Sequence, residues 1–233
     1  MNHLMKGEEK EIRFAPIYLE EHLLQTPPMA IVAARKEAVH MLGIADEMVN
    51  LAMGGFLRDD YVSLAKVESR EYGVDDLRRT ITDYLVNIME HGLSFREAQE
   101  VPALIRIIND IERIGDHAEN LKSLAEQKSS RRSPFSSEGL EEIKKIHHRI
   151  RCMIETTRQS LSGVDAHQAH IVLQIEGEIN ALRDQFMNSH IQRLKQRSNH
   201  VISGLIFLDL IGNFERIGDH LTNIAEEIAG HLA

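Results

Sequence analysis

Six residues, ERIGDH, occur twice in the 233-residue chain, at 112–117 and at 215–220. Each copy sets a glutamate and an aspartate four residues apart, Glu112 with Asp116 and Glu215 with Asp219. That spacing stacks two carboxylates on one helix face, where they repel by roughly 0.2–0.5 kcal/mol. More acid lies upstream of each copy. KVESREYGVDDLRRTITDYL, 66–85, holds Glu68, Glu71 and Asp75, and QIEGEINALRDQF, 174–186, holds Glu176, Glu178 and then Asn180. If the upstream helix packs antiparallel to the ERIGDH helix, Glu71 and Asp75 face Glu112 and Asp116 across a half-buried seam. Four converging carboxylates raise one another's pKa or take up a cation. Their oxygens are the donors preferred by hard divalent ions and are also used by iron and manganese. Each ERIGDH is therefore read as half of a carboxylate metal site. Asn180 offers a carbonyl oxygen but no charge, so the second site is expected to bind more weakly or to hold fewer ions. The plainer reading is a solvated acid face on which Arg113 pairs with Asp116 or Asp110. The duplication argues against it.

On a helical wheel, Leu104, Ile107, Ile108, Ile111, Ile114, Gly115, Ala118, Leu121 and Ala125 share one apolar sector of about 140°, the width of a core-facing stripe. Glu112, Asp116 and Glu119 flank it. Gly115 lies inside the stripe, and a mid-helix glycine costs about 1 kcal/mol relative to alanine. Close approach by a neighbouring helix is the expected compensation, repeated at Gly218. His117 and His220 project away from the acids and are expected on the surface. His147, His148, His167 and His170 have no matching acid pattern and are read as solvated. Glu37 and His40 make a single ExxH, whereas a ferritin-like di-iron site needs two such motifs and two further glutamates.

The elements that must position these acids are helices. The chain is 42% hydrophobic but only 5% aromatic, with no Trp, a palette suited to helix bundles. Six long helices are predicted, roughly at 29–56, 61–91, 94–127, 138–162, 166–195 and 199–231. The first should end near Gly54-Gly55. Ser94 and Glu97 form a capping box for the third, and Pro102 should kink or restart it. Asp165 is a suitable N-cap for the fifth. The fold expected is all-α, two tandem three-helix bundles at 29–127 and 138–233, joined by a serine-rich linker at 128–137 and preceded by a polar extension at 1–28. Net charge is −9, which gives no electrostatic reason to bind nucleic acid. The lone Cys152 fits a reducing compartment, and no apolar run approaches a membrane span of roughly 20 residues. A soluble, intracellular chain is expected.

NDIERIGDHAENL and GNFERIGDHLTNIAEEI, each closing a three-helix unit with acids upstream, resemble the signature of the PhoU family, the phosphate-uptake regulators. The resemblance covers nearly the whole chain from about residue 29. IYLEEHLLQTPPMAIVAARKE, 17–37, and NSHIQRLKQ, 188–196, are similar to the PhoU-like cytoplasmic domain of bacterial sodium/phosphate cotransporters. The resemblance implies multinuclear iron or zinc clusters held by E/DxxxD motifs on the bundle surface. Carried over by position, the ligands would be Glu71, Asp75, Glu112 and Asp116 in one bundle and Glu176, Glu215 and Asp219 in the other. It further implies a membrane phosphate transporter as partner, a sensor kinase as a second partner in some members, a tendency to form homodimers, and no catalysis. The location implied is cytoplasmic, at the inner face of the membrane. The function expected is a metal-binding regulatory domain of phosphate uptake, acting on or as the cytoplasmic part of a phosphate transporter. The alternatives are a stand-alone negative regulator of the PhoU type and, in a different class, a carboxylate-metal hydrolase or oxidase. An enzyme of that kind needs an open coordination position in a water-excluding pocket with an acid or base beside it. The sequence marks no nucleophile elbow, no Gly-rich phosphate loop and no His on the acids' face.

Overall fold

A computed structural model describes residues 15–196 and 201–233; residues 1–14 and the predicted start of the sixth helix at 199 lie outside them. Among the described residues there are six long helices and no strand: α1 (Pro27–Arg58), α2 (Tyr61–Met89), α3 (Glu97–Ser130), α4 (Ser137–Gly163), α5 (Ala166–Gln196) and α6 (Val201–Glu227). A π-helical turn, Ile228–Leu232, ends the chain. No helix among the described residues is long and apolar enough to cross a membrane. Helices α1–α3 form one bundle and α4–α6 the other. The two bundles join along α3 and α6, with a smaller contact between α1 and α4.

Local chemistry sets most helix ends. Pro27 and Pro28 open α1, where a missing N–H leaves no bond unmade. Ser94 and Glu97 do form the reciprocal box, Ser94 N–H donating to Glu97 Oε2 at 2.6 Å and Glu97 N–H to Ser94 Oγ at 3.3 Å. Asp165 accepts from the N–H groups of His167 and Gln168 at the start of α5. One expectation needs correction, and one of two alternatives is excluded. Helix α1 runs through Gly54-Gly55 and stops at Asp59, which adopts a left-handed φ of 54°. Gly55 serves packing instead: a Cβ there would collide with the Leu64 side chain of α2. Pro102 does not restart α3, which runs unbroken from Glu97. It falls in the second turn, where one intrahelical bond is lost.

The serine-rich connection is shorter than its composition suggests. Helix α3 continues to Ser130, and Lys128 reaches back to the Phe56 carbonyl at 2.8 Å and to Asp59 at 3.0 Å. It thereby satisfies the C-terminal end of α1. Phe135 packs edge-on against Phe56 with centroids 5.3 Å apart, so the connection is part of the core.

The polar lead-in is also anchored. Glu37, fully buried on α1, accepts the N–H groups of Ile17 and Tyr18 at 2.8 and 2.7 Å. Its other oxygen faces His40 Nδ1 at 2.8 Å. The ExxH pair thus clamps the chain before α1. Tyr84 of α2 adds a hydrogen bond from its hydroxyl to the Glu20 carbonyl at 3.0 Å.

Histidines depart from expectation. His117 and His220 are half-buried at the α3–α6 joint, their rings stacked 5.5 Å apart. His117 Nδ1 meets Asn213 Oδ1 at 3.0 Å, and His220 Nδ1 meets Asp110 Oδ1 at 2.7 Å. Asp110 and Asn213 hold equivalent places in the two repeats, so the joint is locally two-fold. The wheel pointed these rings away from the acids correctly, but a second bundle occupies that side. His147 is not solvated either: it stacks on Phe214 at 6.1 Å. Burial, reinforced by Arg151 and His148, lowers its pKa from 6.5 to about 4.

The glycines in the stripes are not required by close contact. A Cβ at Gly115 would meet Val74 and Met48 at 3.4–3.8 Å, and one at Gly218 would meet Ile150 and Met153 at 4.0 Å, all ordinary packing distances. Gly218→Ala should therefore stabilise the fold by about 1 kcal/mol through helix propensity. Gly55→Ala should destabilise it by roughly 1–3 kcal/mol through overpacking. Urea unfolding of the two variants checks both signs. For His147 the unfolded state binds the proton more readily, so stability is present above about pH 6.5 and is lost as pH falls toward about 4. His147→Leu should make that loss shallower, as read from thermal unfolding at pH 7, 5.5 and 4.5 (roughly the range of an unperturbed and a buried imidazole).

Candidate functional site

Helices α2 and α3 bring the first acid row together as the antiparallel reading requires. Glu71 feels Asp75 and Glu68 on its own helix and Glu119 and Asp116 across the seam. Glu112 feels Asp116 beside it and Asp75 opposite. Both glutamates lie at the edge of the buried stripe rather than in water. Burial first, and these like charges second, push both carboxyls above their ordinary range. Burial alone would shift one group; the cross-seam couplings make a row.

Basic side chains answer part of that charge. Arg78 of α2 lies 3.6 Å from Glu112 through its Nε, and Arg113 lies 3.6 Å from Glu112 and 3.2 Å from Asp116. Lys122 stands 3.6 Å from Glu68. The Arg113–Asp116 pair is legible from spacing, whereas Arg78 reaches Glu112 from another helix. No three His, Cys, Asp or Glu side chains among the described residues converge closely enough to hold one ion.

The second row is arranged differently. Asn180 donates its amide to Glu176, Arg183 donates to Glu215, and Arg149 of α4 pairs with Glu178. Asp219 is exposed. Thus Glu176 and Glu215 each hold a donor from their own bundle. Arg183 occupies the place in α5 that Arg78 occupies in α2. A sequence signal for both existed, ExxxDxxR at 71–78 and ExxxNxxR at 176–183. A cavity of about 630 Å³ near the end of α5, lined by Phe135, His190, Arg193 and Phe207, contains none of these acids.

Two three-helix bundles joined through their third helices, each with an acid row between its second and third, define a tandem-repeat helical protein whose unit is the bundle. The model of the PhoU domain matches residues 38–124 and 143–228, one copy in each bundle, and the chain belongs to that family. A phosphate-specific transport system accessory protein PhoU homolog from Deinococcus radiodurans is 22% identical over 192 residues, covering 82% of this chain and 89% of that one. One with the same description from Rhizobium meliloti is 25% identical over 190 residues, covering 81% and 79%. The crystal structure of PhoU from Pseudomonas aeruginosa superposes with a TM-score of 0.82 at 21% identity, covering 88% of this chain and 98% of that one. That likeness establishes the fold.

Proposed function

We propose that the chain is an accessory regulator of phosphate transport, non-catalytic, acting as a stand-alone protein on a membrane phosphate transporter. The observation that supports this most directly is the double PhoU match, one per bundle, alongside relatives described as accessory proteins of a phosphate-specific transport system. Those relatives are matched over most of their own length, and their descriptions favour the stand-alone regulator over a cytoplasmic part of a sodium/phosphate cotransporter. A cytoplasmic location at the inner face of the membrane, a sensor kinase as second contact and a homodimer belong to the same proposal.

Metal ions, iron or zinc, form its second half. Glu71, Asp75, Glu112 and Asp116 would hold them in the first bundle; Glu176, Glu215 and Asp219 would do so in the second. Bound ions would supply the positive charge that the first row lacks. The chain's own contribution is to present oxygen donors on two rigid helices at a seam that is partly shielded from water. The like charges that Glu71 and Glu112 face across the seam, Asp116 and Glu119 for the first and Asp75 for the second, support the first site. The internal donors on Glu176 and Glu215 support a weaker second one.

Two measurements test this. Deleting the gene in its native host should raise phosphate uptake in phosphate-rich medium, and a plasmid copy should restore restraint; unchanged uptake would refute the regulatory reading. Replacing Glu112 and Asp116 together with Ala should remove most of the metal of the first site with helical content intact. Metal per chain equal to that of the unaltered protein, by elemental analysis, would refute the ligand assignment.

A further inference from the structure

At one end of the second bundle the repeat is broken. In the register that pairs Glu71 with Glu176 and Arg78 with Arg183, Leu85 and Ile88 of α2 correspond to His190 and Arg193 of α5. In the register that pairs Glu112 with Glu215, Val101 and Leu104 of α3 correspond to Gly204 and Phe207 of α6. All four residues of the first bundle are fully buried core. Their counterparts line the cavity of about 630 Å³, which Phe135 and Glu142 also border. Two aliphatic positions have become polar, and a third has lost its side chain.

The same end of the first bundle is sealed. There Glu37 accepts the N–H groups of Ile17 and Tyr18, and Tyr84 donates to the Glu20 carbonyl, so the lead-in lies across it. The residues matching Glu37 and Tyr84 are Glu142 and Ser189, and both border the cavity. Glu142 instead holds Arg193 through two hydrogen bonds of 2.9 and 2.6 Å. The cavity is thus the open counterpart of a seat that the first bundle fills with its own chain.

Its walls are aromatic with few polar groups. Phe207 stacks on His190 with centroids 4.8 Å apart, and the Arg193 guanidinium lies 5.2 Å from the Phe207 ring centre. His190 is 6% exposed, and its Nε2 has no hydrogen-bond partner among the described residues. Gly204 makes room for that ring, since a Cβ there would come within 3.2 Å of His190 Cε1 and Nε2. Burial first, and Arg193 second, hold the imidazole below its ordinary range, so near neutral pH it is uncharged. A buried polar atom left unmet costs stability, and a group brought beside it recovers that cost. Among the described residues Arg193 is the one cation bordering the cavity, and Glu142 answers it. Free phosphate finds no unanswered positive charge here.

We infer that this cavity is a binding site for a small uncharged amphipathic molecule, its apolar body against Phe135, Phe207 and Leu194 and one hydroxyl or amide group at His190. The volume falls within the roughly 300–1,000 Å³ of ligand pockets, whose usual lining is apolar with a few placed polar groups. The site is separate from the acid rows and does not depend on the metal reading. Because Phe135 also packs on Phe56 of α1, a molecule held here touches the connection between the bundles.

The test is a titration of isotope-labelled full-length protein with p-cresol and with toluene, which differ by one hydroxyl. Binding is read by NMR from imidazole and backbone amide signals, the His190 imidazole being identified by its loss in His190→Leu. Both probes are expected to bind one molecule per chain and to move the His190 signal, p-cresol the more tightly. His190→Leu restores the residue of the first repeat. It should weaken p-cresol about tenfold, the worth of one hydrogen bond, and leave toluene unchanged. The double variant His190→Leu with Gly204→Val recreates the pair Leu85 and Val101; it should melt higher and bind neither probe. Circular dichroism monitors helicity, and His190→Leu alone keeps the test decisive should the double variant fail to fold. Binding of neither probe by unaltered protein would overturn the site. Equal binding of both, indifferent to His190→Leu, would overturn recognition through His190. Inorganic phosphate that moves the His190 signal and displaces p-cresol would overturn the uncharged class of ligand.

Discussion

The joint between α3 and α6 is the constraint on which the rest of the molecule depends. Each of these helices is the third member of its own bundle and also half of the contact between bundles. Each therefore buries one broad stripe that serves both contacts, as at Val101, Ala103, Leu104, Ile107, Ile108 and Ile111 of α3. Register along the joint is set by polar groups. His117 meets Asn213 and His220 meets Asp110, while Asn223 also donates to Asp110 at 3.1 Å. Arg106 adds a two-point pair with Glu227, one contact at 2.8 Å. Partly buried hydrogen bonds specify alignment because leaving either partner unmet costs about 1–3 kcal/mol.

Fixing the joint fixes the acid rows. Successive residues on a helix differ by about 100° in direction, so turning His117 toward α6 turns Asp116 and Glu112 toward α2. The same logic sends Asp219 and Glu215 toward α5. One duplicated string thereby encodes two surfaces at once: a histidine face that joins the halves and an acid face that lies between the second and third helices of each. That is why the string is longer than the two carboxylates alone would need.

The halves then diverge in electrostatics while sharing a backbone plan. In the first, carboxylates from two helices raise one another, and bases answer them only in part. In the second, an amide and a guanidinium occupy the corresponding oxygens. A single exchange of aspartate for asparagine, Asp75 against Asn180, changes a like-charge contact into a hydrogen bond. Duplication has preserved the fold more strictly than the charge, because packing constrains the apolar stripe at every turn and the seam tolerates either chemistry.

Helix number, helix order and the repeat were determined by the sequence alone, since a 3.6-residue apolar period and duplicated motifs are local signals that no tertiary contact needs to supply. The capping groups at Ser94 and Asp165 belong to the same class; the facing of Glu71 and Asp75 toward Glu112 and Asp116 does not, since it needed the antiparallel packing of α2 on α3. Tertiary structure decided what lies on the far side of each helix. His117 and His220 have the polarity of surface residues and become interface because a second bundle covers them. Gly54-Gly55 read as a stop, yet Leu64 from another helix turns Gly55 into a packing point. Glu37 and His40 hold a segment some 20 residues earlier in the chain. Arg78 and Arg183 become counter-ions only when α3 and α6 bring glutamates to them. Helical periodicity tells which residues share a face; which face meets which depends on contacts between distant segments, and those exist only in the folded molecule.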